Sequence, residues 1–406
     1  LGSIQFLHCH IDNLQRSITI KPRGRNILIV GQNGSGKTSF LMKISEGLRD
    51  YLNHGHKNER SLKSQIKNNL QHIKDYPEHE QSYLSQIEDT RDRWRDQRNK
   101  YLFKISDTEN LSELMRKNLI AFRFFQAHRK AEIRKVTSVS GSVTENVMSL
   151  GNSALAANLE QHLVNLRVRS ALAFLKDGEE SRANSIEKWF DQFESDIQYL
   201  FENDSVRLKF DPDHMRYYIT QQGRLDYSFQ ELSSGYSAIF DIFGDLVVRA
   251  EYLGVTPKEL PGIVIIDEID AHLHVSLQRK ILPFFIRSFP NIQFIVSTHS
   301  PFVLSSVDDV LIYDISSGHS ALDLSMYSID AITEGLLRVP PISRKLEETI
   351  KNLCEITTSN KFDLVAAAEI IDSIAPFSDS LDDESKMHYE IARNKVLREK
   401  ARSSDV

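Results

Sequence analysis

The most constraining feature is an eight-residue turn, Gly31-Gln32-Asn33-Gly34-Ser35-Gly36-Lys37-Thr38, directly after the aliphatic run Ile27–Val30. It fits the pattern G-x-x-x-x-G-K-[ST], which needs a strand before it and a helix after it. The glycines let backbone N–H groups turn inward around phosphates, and the following helix contributes the positive end of its dipole. Asn33, Gly34, Ser35, Gly36, Lys37, Thr38 and Ser39 are the expected contacts to a nucleotide. Lys37 is placed to bridge the terminal phosphates of ATP, and Thr38 to ligate Mg2+ through its hydroxyl. A merely structural glycine turn would leave Lys37 buried with no anion to pair.

A second element answers the first. Gly262-Ile263-Val264-Ile265-Ile266 reads as a strand buried on both faces, and it ends in Asp267-Glu268. Beside a phosphate loop, Asp267 is expected to hold Mg2+ and Glu268 to polarise the attacking water. Other strands are expected at Leu119–Gln126, Val206–Phe210, Tyr217–Thr220 and Ile292–Ser297. Helices are expected at Leu155–Leu175, Ser181–Phe201, Ser234–Tyr252 and Leu277–Ser288. Alternating strands and helices predict an α/β head with a parallel sheet.

That head is interrupted. From about Leu52 to Asn118 the chain is polar, with apolar residues Leu62, Ile66, Leu70 and Ile73, then Pro77, then Leu84, Ile87, Trp94 and Tyr101. This spacing predicts a helical coiled-coil hairpin about 30 Å long. The expected organisation is 1–52 and 119–315 as the two parts of the head, 53–118 as the inserted hairpin, and 316–406 as a helical tail. The tail closes on the charged run Lys395–Arg402, expected to be solvated.

Composition narrows the setting. Of 406 residues 40% are hydrophobic and 26% charged, which suits a chain with a sizeable core and excludes wholesale disorder. No apolar run approaches the ~18–20 residues of a membrane span. Two cysteines, Cys9 and Cys354, exclude a disulfide framework and point to a reducing, cytoplasmic setting. The net charge of −6 conceals an uneven distribution: residues 55–135 carry 18 Lys+Arg against 12 Asp+Glu. This basic segment is a possible face for nucleic acid.

Further motifs resemble one superfamily. Leu232-Ser233-Ser234-Gly235-Tyr236-Ser237 is similar to the signature loop of ABC-type ATPases, with Ser234 and Tyr236 replacing the usual Gly and Gln. Asp270-Ala271-His272-Leu273-His274 resembles the D-loop, and Ser297-Thr298-His299-Ser300-Pro301 the histidine switch. Gln126 stands where the Q-loop glutamine would contact nucleotide and Mg2+. The resemblance implies a site shared between two heads. Lys37, Thr38, Asp267, Glu268 and the γ-phosphate sensor His299 would come from one protomer, and Ser233 and Gly235 from its partner. A homo-oligomer, at least a head-to-head dimer, is therefore expected.

The 230 positions between Lys37 and Asp267 are about twice what a transporter cassette uses. With the inserted hairpin, they resemble the RecF/SMC/OLD-like branch. Leu155–Arg249 and Ile329–Leu346 are similar to ATPases of anti-phage modules, namely the Septu and retron-associated PtuA family and the PARIS AriA family. That likeness implies an ATPase controlling a separate nuclease of HNH or TOPRIM type. After Ser316 neither a TOPRIM nor an HNH pattern is found, and Asp382-Asp383-Glu384 is expected to be solvated. The chain is therefore expected to hydrolyse ATP without cutting nucleic acid. The alternative is a DNA-repair or chromosome-maintenance ATPase of the RecF/SMC type that clamps DNA directly.

Overall fold

The computed structural model describes residues 2–11, 15–136, 155–175, 179–339, 342–359 and 362–404, in two compact units, 1–332 and 333–406. In chain order the first unit begins with β1 (Ile4–Ile11), β2 (Arg16–Ile20), β3 (Asn26–Val30) and α1 (Lys37–Asp50). A π-helical turn, Tyr51–Gly55, leads to α2 (His56–Asp75), a short 3-10 turn at Pro77–His79, and α3 (Glu80–Lys100). Next come β4 (Tyr101–Ile105), α4 (Thr108–Arg116), β5 (Ala121–Phe125), α5 (Leu159–Leu175) and α6 (Glu180–Phe201). A meander of β6 (Arg207–Asp211), β7 (Arg216–Gln221) and β8 (Arg224–Ser228) precedes α7 (Ser234–Tyr252). The unit closes with β9 (Gly262–Ile266), α8 (Val275–Ser288), β10 (Ile292–Ser297), the single turn α9 (Pro301–Leu304), β11 (Val310–Asp314) and β12 (Ser320–Leu322).

The central sheet runs β12-β11-β3-β10-β9-β5. All neighbours pair in parallel except the β11–β12 edge. Its middle strands consist of consecutive aliphatics because both faces are covered. Ile27–Val30 and Ile263–Ile266 are wholly buried, and Phe40, Leu41, Ile44 and Leu48 of α1 belong to the same interior. Each such side chain contributes roughly 1.5–3 kcal/mol on burial. The parallel registers, Ile29 opposite Ser297, Val296 opposite Ile266 and Ile266 opposite Phe125, bring four strand ends to one edge. Ligands of open α/β sheets bind at that edge.

Several expectations need correction. Tyr101, read as part of the helical insertion, starts β4, which pairs antiparallel with β1 beside β2. Its alternation buries Phe103 and half-buries Tyr101, a period of two that the helical reading passed over. Along α2 and α3 the expected apolar positions Leu62, Ile66 and Ile73 are half-buried and Ile87 is buried, but the seam departs from expectation at two places. Leu70 and Leu84 are exposed, Asn69 and Tyr83 are half-buried, and His72 stacks on Tyr83 with centroids 5.5 Å apart. The side chain of Trp94 lies outside the described residues. The stretch from 316, expected to be helical, first contributes β12 to the sheet edge.

The second unit begins within α10 (Ile329–Gly335) and contains α11 (Arg344–Thr358), α12 (Leu364–Ile374) and α13 (Asp383–Ser404). These three helices close over Leu353, Ile371, Ile374, Tyr389, Ala392 and Val396. The basic run at the end is not uniformly solvated: Lys395 donates to the Thr357 carbonyl at 2.6 Å and lies over the Phe362 ring. Asp382 accepts the Ser385 N–H at 3.0 Å at the start of α13, which makes it a helix cap instead of a free loop acid.

Candidate active site

The phosphate loop joins β3 to α1. Gly34 and Gly36 have φ of 77° and 89°, in the left-handed region that only glycine enters cheaply. Asn33 and Gly34 are exposed at the tip of the turn, and Ser39 is half-buried in the first turn of α1. Lys37 is 6% exposed, and its Nζ donates to the Gly31 and Gln32 carbonyls at 3.0 and 3.1 Å. Burial pushes its pKa down, against the pull of Glu268, Asp267, Asp270 and Asp314. The Ser35 hydroxyl is buried and finds no hydrogen-bond partner among the described residues. A desolvated cation held by two carbonyls and an unpartnered hydroxyl, among the described residues, fit a phosphate ligand.

Asp267 follows β9 and is almost fully buried. Thr38 Oγ1 donates to its Oδ2 at 2.7 Å, and Ser297 Oγ donates to its Oδ1. The Glu268 N–H in turn donates to Ser297 Oγ at 2.7 Å. Thr38 thus reaches Asp267 directly across 229 positions of sequence, and a hydroxyl at the end of β10 ties Asp267 to the Glu268 backbone. A carboxylate beside a threonine hydroxyl is a suitable donor set for a hard, oxygen-loving cation such as Mg2+. Gln126, directly after β5, is exposed and lies next in the sheet to Asp267, whose N–H donates to the Phe125 carbonyl at 2.8 Å.

The segment after β10 is rich in hydroxyls. Thr298 Oγ1 donates to Asp270 Oδ1 at 2.6 Å and accepts the Ser300 N–H at 3.0 Å, while Ser300 Oγ donates to Gln278 Oε1 at 2.6 Å. His299 projects half-buried from this scaffold. Its pKa is lowered by burial and then by Lys37, so the imidazole is neutral at neutral pH and able to accept or donate a proton-sharing bond.

The structure does not join Ser233 and Gly235 to the phosphate loop by any described hydrogen bond. They form a separate cluster at the start of α7. Ser233 is exposed, and a β-carbon at Gly235 would lie 3.0 Å from the His272 carbonyl, so the Asp270–His274 segment closes on a position without a side chain. Two residues were overlooked by sequence reasoning. Neither Ser297 nor Arg129 is among the contacts expected from sequence, although Ser297 opens the histidine-switch motif and Arg129 follows Gln126 by three positions. The buried Arg129 guanidinium donates to the carbonyls of Gln126, Asp267, Glu268 and Ile269 at 2.8–3.1 Å. No local signal marked either residue, because their partners lie on other strands.

Fold and site together define an ABC-type P-loop ATPase head. The chain belongs to the family described as "AAA domain, putative AbiEii toxin, Type IV TA system", which matches residues 45–305. It is 40% identical over 103 residues to the Retron Ec83 probable ATPase of Escherichia coli, covering 25% of this chain and 19% of that protein. It is 37% identical over 117 residues to the Retron Vc95 probable ATPase of Vibrio cholerae serotype O1 biovar El Tor, covering 28% and 22%. It is 32% identical over 83 residues to Septu protein PtuA of Bacillus thuringiensis, covering 19% and 21%. The aligned segments thus span about a fifth of those relatives' lengths. Among solved structures, an Smc head bound to the C-winged helix domain of ScpA aligns at a TM-score of 0.38 and 12% identity, over 80% of this chain and all of that one. A nucleotide-free ATP-binding cassette from an ABC transporter aligns at 0.33 and 15%, over 83% and 96%. No helix among the described residues is long and apolar enough to cross a membrane.

Proposed function

We propose that this chain binds ATP and hydrolyses it as the regulatory subunit of an anti-phage complex, controlling a separate nuclease of HNH or TOPRIM type. The observation that carries the ATPase reading is the bond from Thr38 to Asp267, with Ser297 tying Asp267 to Glu268 beside a buried Lys37. Lys37 would exchange its two carbonyl partners for phosphate oxygens, a stronger charge-assisted pairing. The Ser35 hydroxyl and the N–H groups of the loop would complete the phosphate cradle. Thr38, Asp267 and Gln126 would hold Mg2+, which when bound neutralises phosphate charge. Glu268 would accept the proton of the attacking water, and His299 would meet the γ-phosphate.

The separate placement of Ser233 and Gly235 supports a site completed by a second head. ATP would then favour the closed pair, and hydrolysis would release it. The anti-phage setting is supported by the retron and Septu relatives. Glu268→Gln should lower turnover by about 10²–10⁴-fold while leaving ATP affinity near that of the wild type. Unchanged turnover in a folded Glu268→Gln protein would refute the assignment. A second reading, direct clamping of DNA, draws on the basic segment: Lys67 and Lys74 are exposed on α2. Binding of DNA that needs ATP and weakens steeply with salt would favour it.

A further inference from the structure

Glu268 has φ of 45°, a left-handed conformation that is strained for a residue with a β-carbon. Something must hold it there. Ser297 receives its N–H, and its carbonyl is taken by Arg129. Arg129 NH1 donates to the Gln126 carbonyl at 3.1 Å and the Asp267 carbonyl at 2.8 Å. NH2 donates to the carbonyls of Glu268 and Ile269, both at 3.0 Å. Three of the four acceptors are consecutive residues, so one planar group grips the turn that carries both acids. A guanidinium keeps its charge and spreads its donors over a rigid fork, whereas an ammonium offers three donors from one point.

The same segment is fastened to the start of α7. The Ala131 N–H donates to the Ser237 carbonyl at 3.3 Å, and Ser237 Oγ donates to the Ala131 carbonyl at 3.2 Å. Arg129 therefore stands between the loop holding Ser233 and the turn holding Glu268. Its burial lowers its pKa, and Asp241 of α7 heads the acids that offset this.

We infer that Arg129 is a positioning residue for the hydrolytic step, clamping the Asp267–Ile269 carbonyls so that Glu268 stays in its left-handed conformation at the sheet edge. The inference rests on Glu268 acting as the base. Arg129→Lys keeps a buried cation but cannot reach all four carbonyls. It should lower kcat by ten- to a hundredfold, since displacement of a catalytic group by about 1 Å can cost that much, with ATP affinity within about threefold.

Two further readouts separate positioning from general damage. In a Glu268→Gln background, Arg129→Lys should cost no further turnover, because both changes remove one function. Millimolar guanidinium should also restore part of the turnover of Arg129→Ala. A folded Arg129→Lys protein with wild-type kcat, or losses that multiply in the double variant, would overturn the inference. If Arg129→Lys does not fold, a lack of guanidinium rescue in Arg129→Ala overturns it equally. If Glu268→Gln alone leaves turnover intact, it is the assignment of Glu268 as the base that fails, whatever Arg129 does.

Discussion

Lys37 and His162 are both buried bases whose pKa burial pushes down, His162 to about 4. Their surroundings differ. Lys37 faces four carboxylates across the sheet edge, and among the described residues its hydrogen bonds are to loop carbonyls it can give up. His162 sits edge-on to Trp189, with ring centroids 5.6 Å apart, in an aromatic layer between α5, α6 and α7. There Phe193 lies flat against Phe243 at 5.6 Å, and Phe243 continues to Phe284 at 5.1 Å. One region stores unspent polar capacity around a loop, and the other spends its residues on packing. A depressed pKa therefore marks burial, and it marks a site only where opposite charge and exchangeable bonds converge on the same group.

Substitutions in the two regions should fail in opposite ways. The largest effect on stability belongs to the aromatic layer. Phe243→Ala should cost about 3–5 kcal/mol by leaving a cavity among four rings, measured by denaturant unfolding, with ATP affinity little changed below the transition. Lys37→Ala should do the reverse. ATP affinity should fall by about ten- to a hundredfold, the worth of a charge-assisted pairing. The unfolding midpoint should stay near that of the wild type, because removing a desolvated charge offsets the loss of two carbonyl bonds. If Lys37→Ala unfolds the protein as readily as Phe243→Ala, the contrast between the regions collapses.

The same contrast explains what the sequence could disclose. Gly31–Thr38 and Ile263–Glu268 are contiguous motifs, so both the strand and the chemistry were legible from neighbouring residues. Arg129 and Ser297 act on partners 138 and 30 positions away, and strand register alone decides those meetings. Within Ser297–Pro301 the histidine drew attention, yet the hydroxyls of Ser297, Thr298 and Ser300 carry the described hydrogen bonds. β4 was hidden because Tyr101 also satisfied a helical spacing, and only its pairing with Cys9 settles the period. β8 carries only a faint signal: Arg224-Leu225-Asp226-Tyr227-Ser228 alternates, but over five residues with two apolar ones, of which Leu225 is exposed and only Tyr227 is buried.

The smallest of these effects is a pH dependence, and its sign follows from His162 being neutral in the fold. The nearest charges oppose one another, Glu251 favouring the imidazolium and Arg169 disfavouring it, so burial decides the direction. Above the ordinary histidine pKa of about 6.5 both folded and unfolded chains hold it neutral, and its contribution to stability is fully present. As pH falls from there towards 4, the unfolded chain gains a proton that the folded one refuses, so stability declines, and the decline levels off below 4. Between pH 7 and pH 5 this one group should account for about 2 kcal/mol. His162→Leu, which keeps an apolar group against Trp189, should flatten the denaturation profile over that interval by this amount. It should leave the pH dependence of ATP turnover where it was, because His299 and Glu268 lie in the other region. A variant that keeps the wild-type stability profile would show that other groups govern acid sensitivity, and that His162 is less sealed than its packing implies.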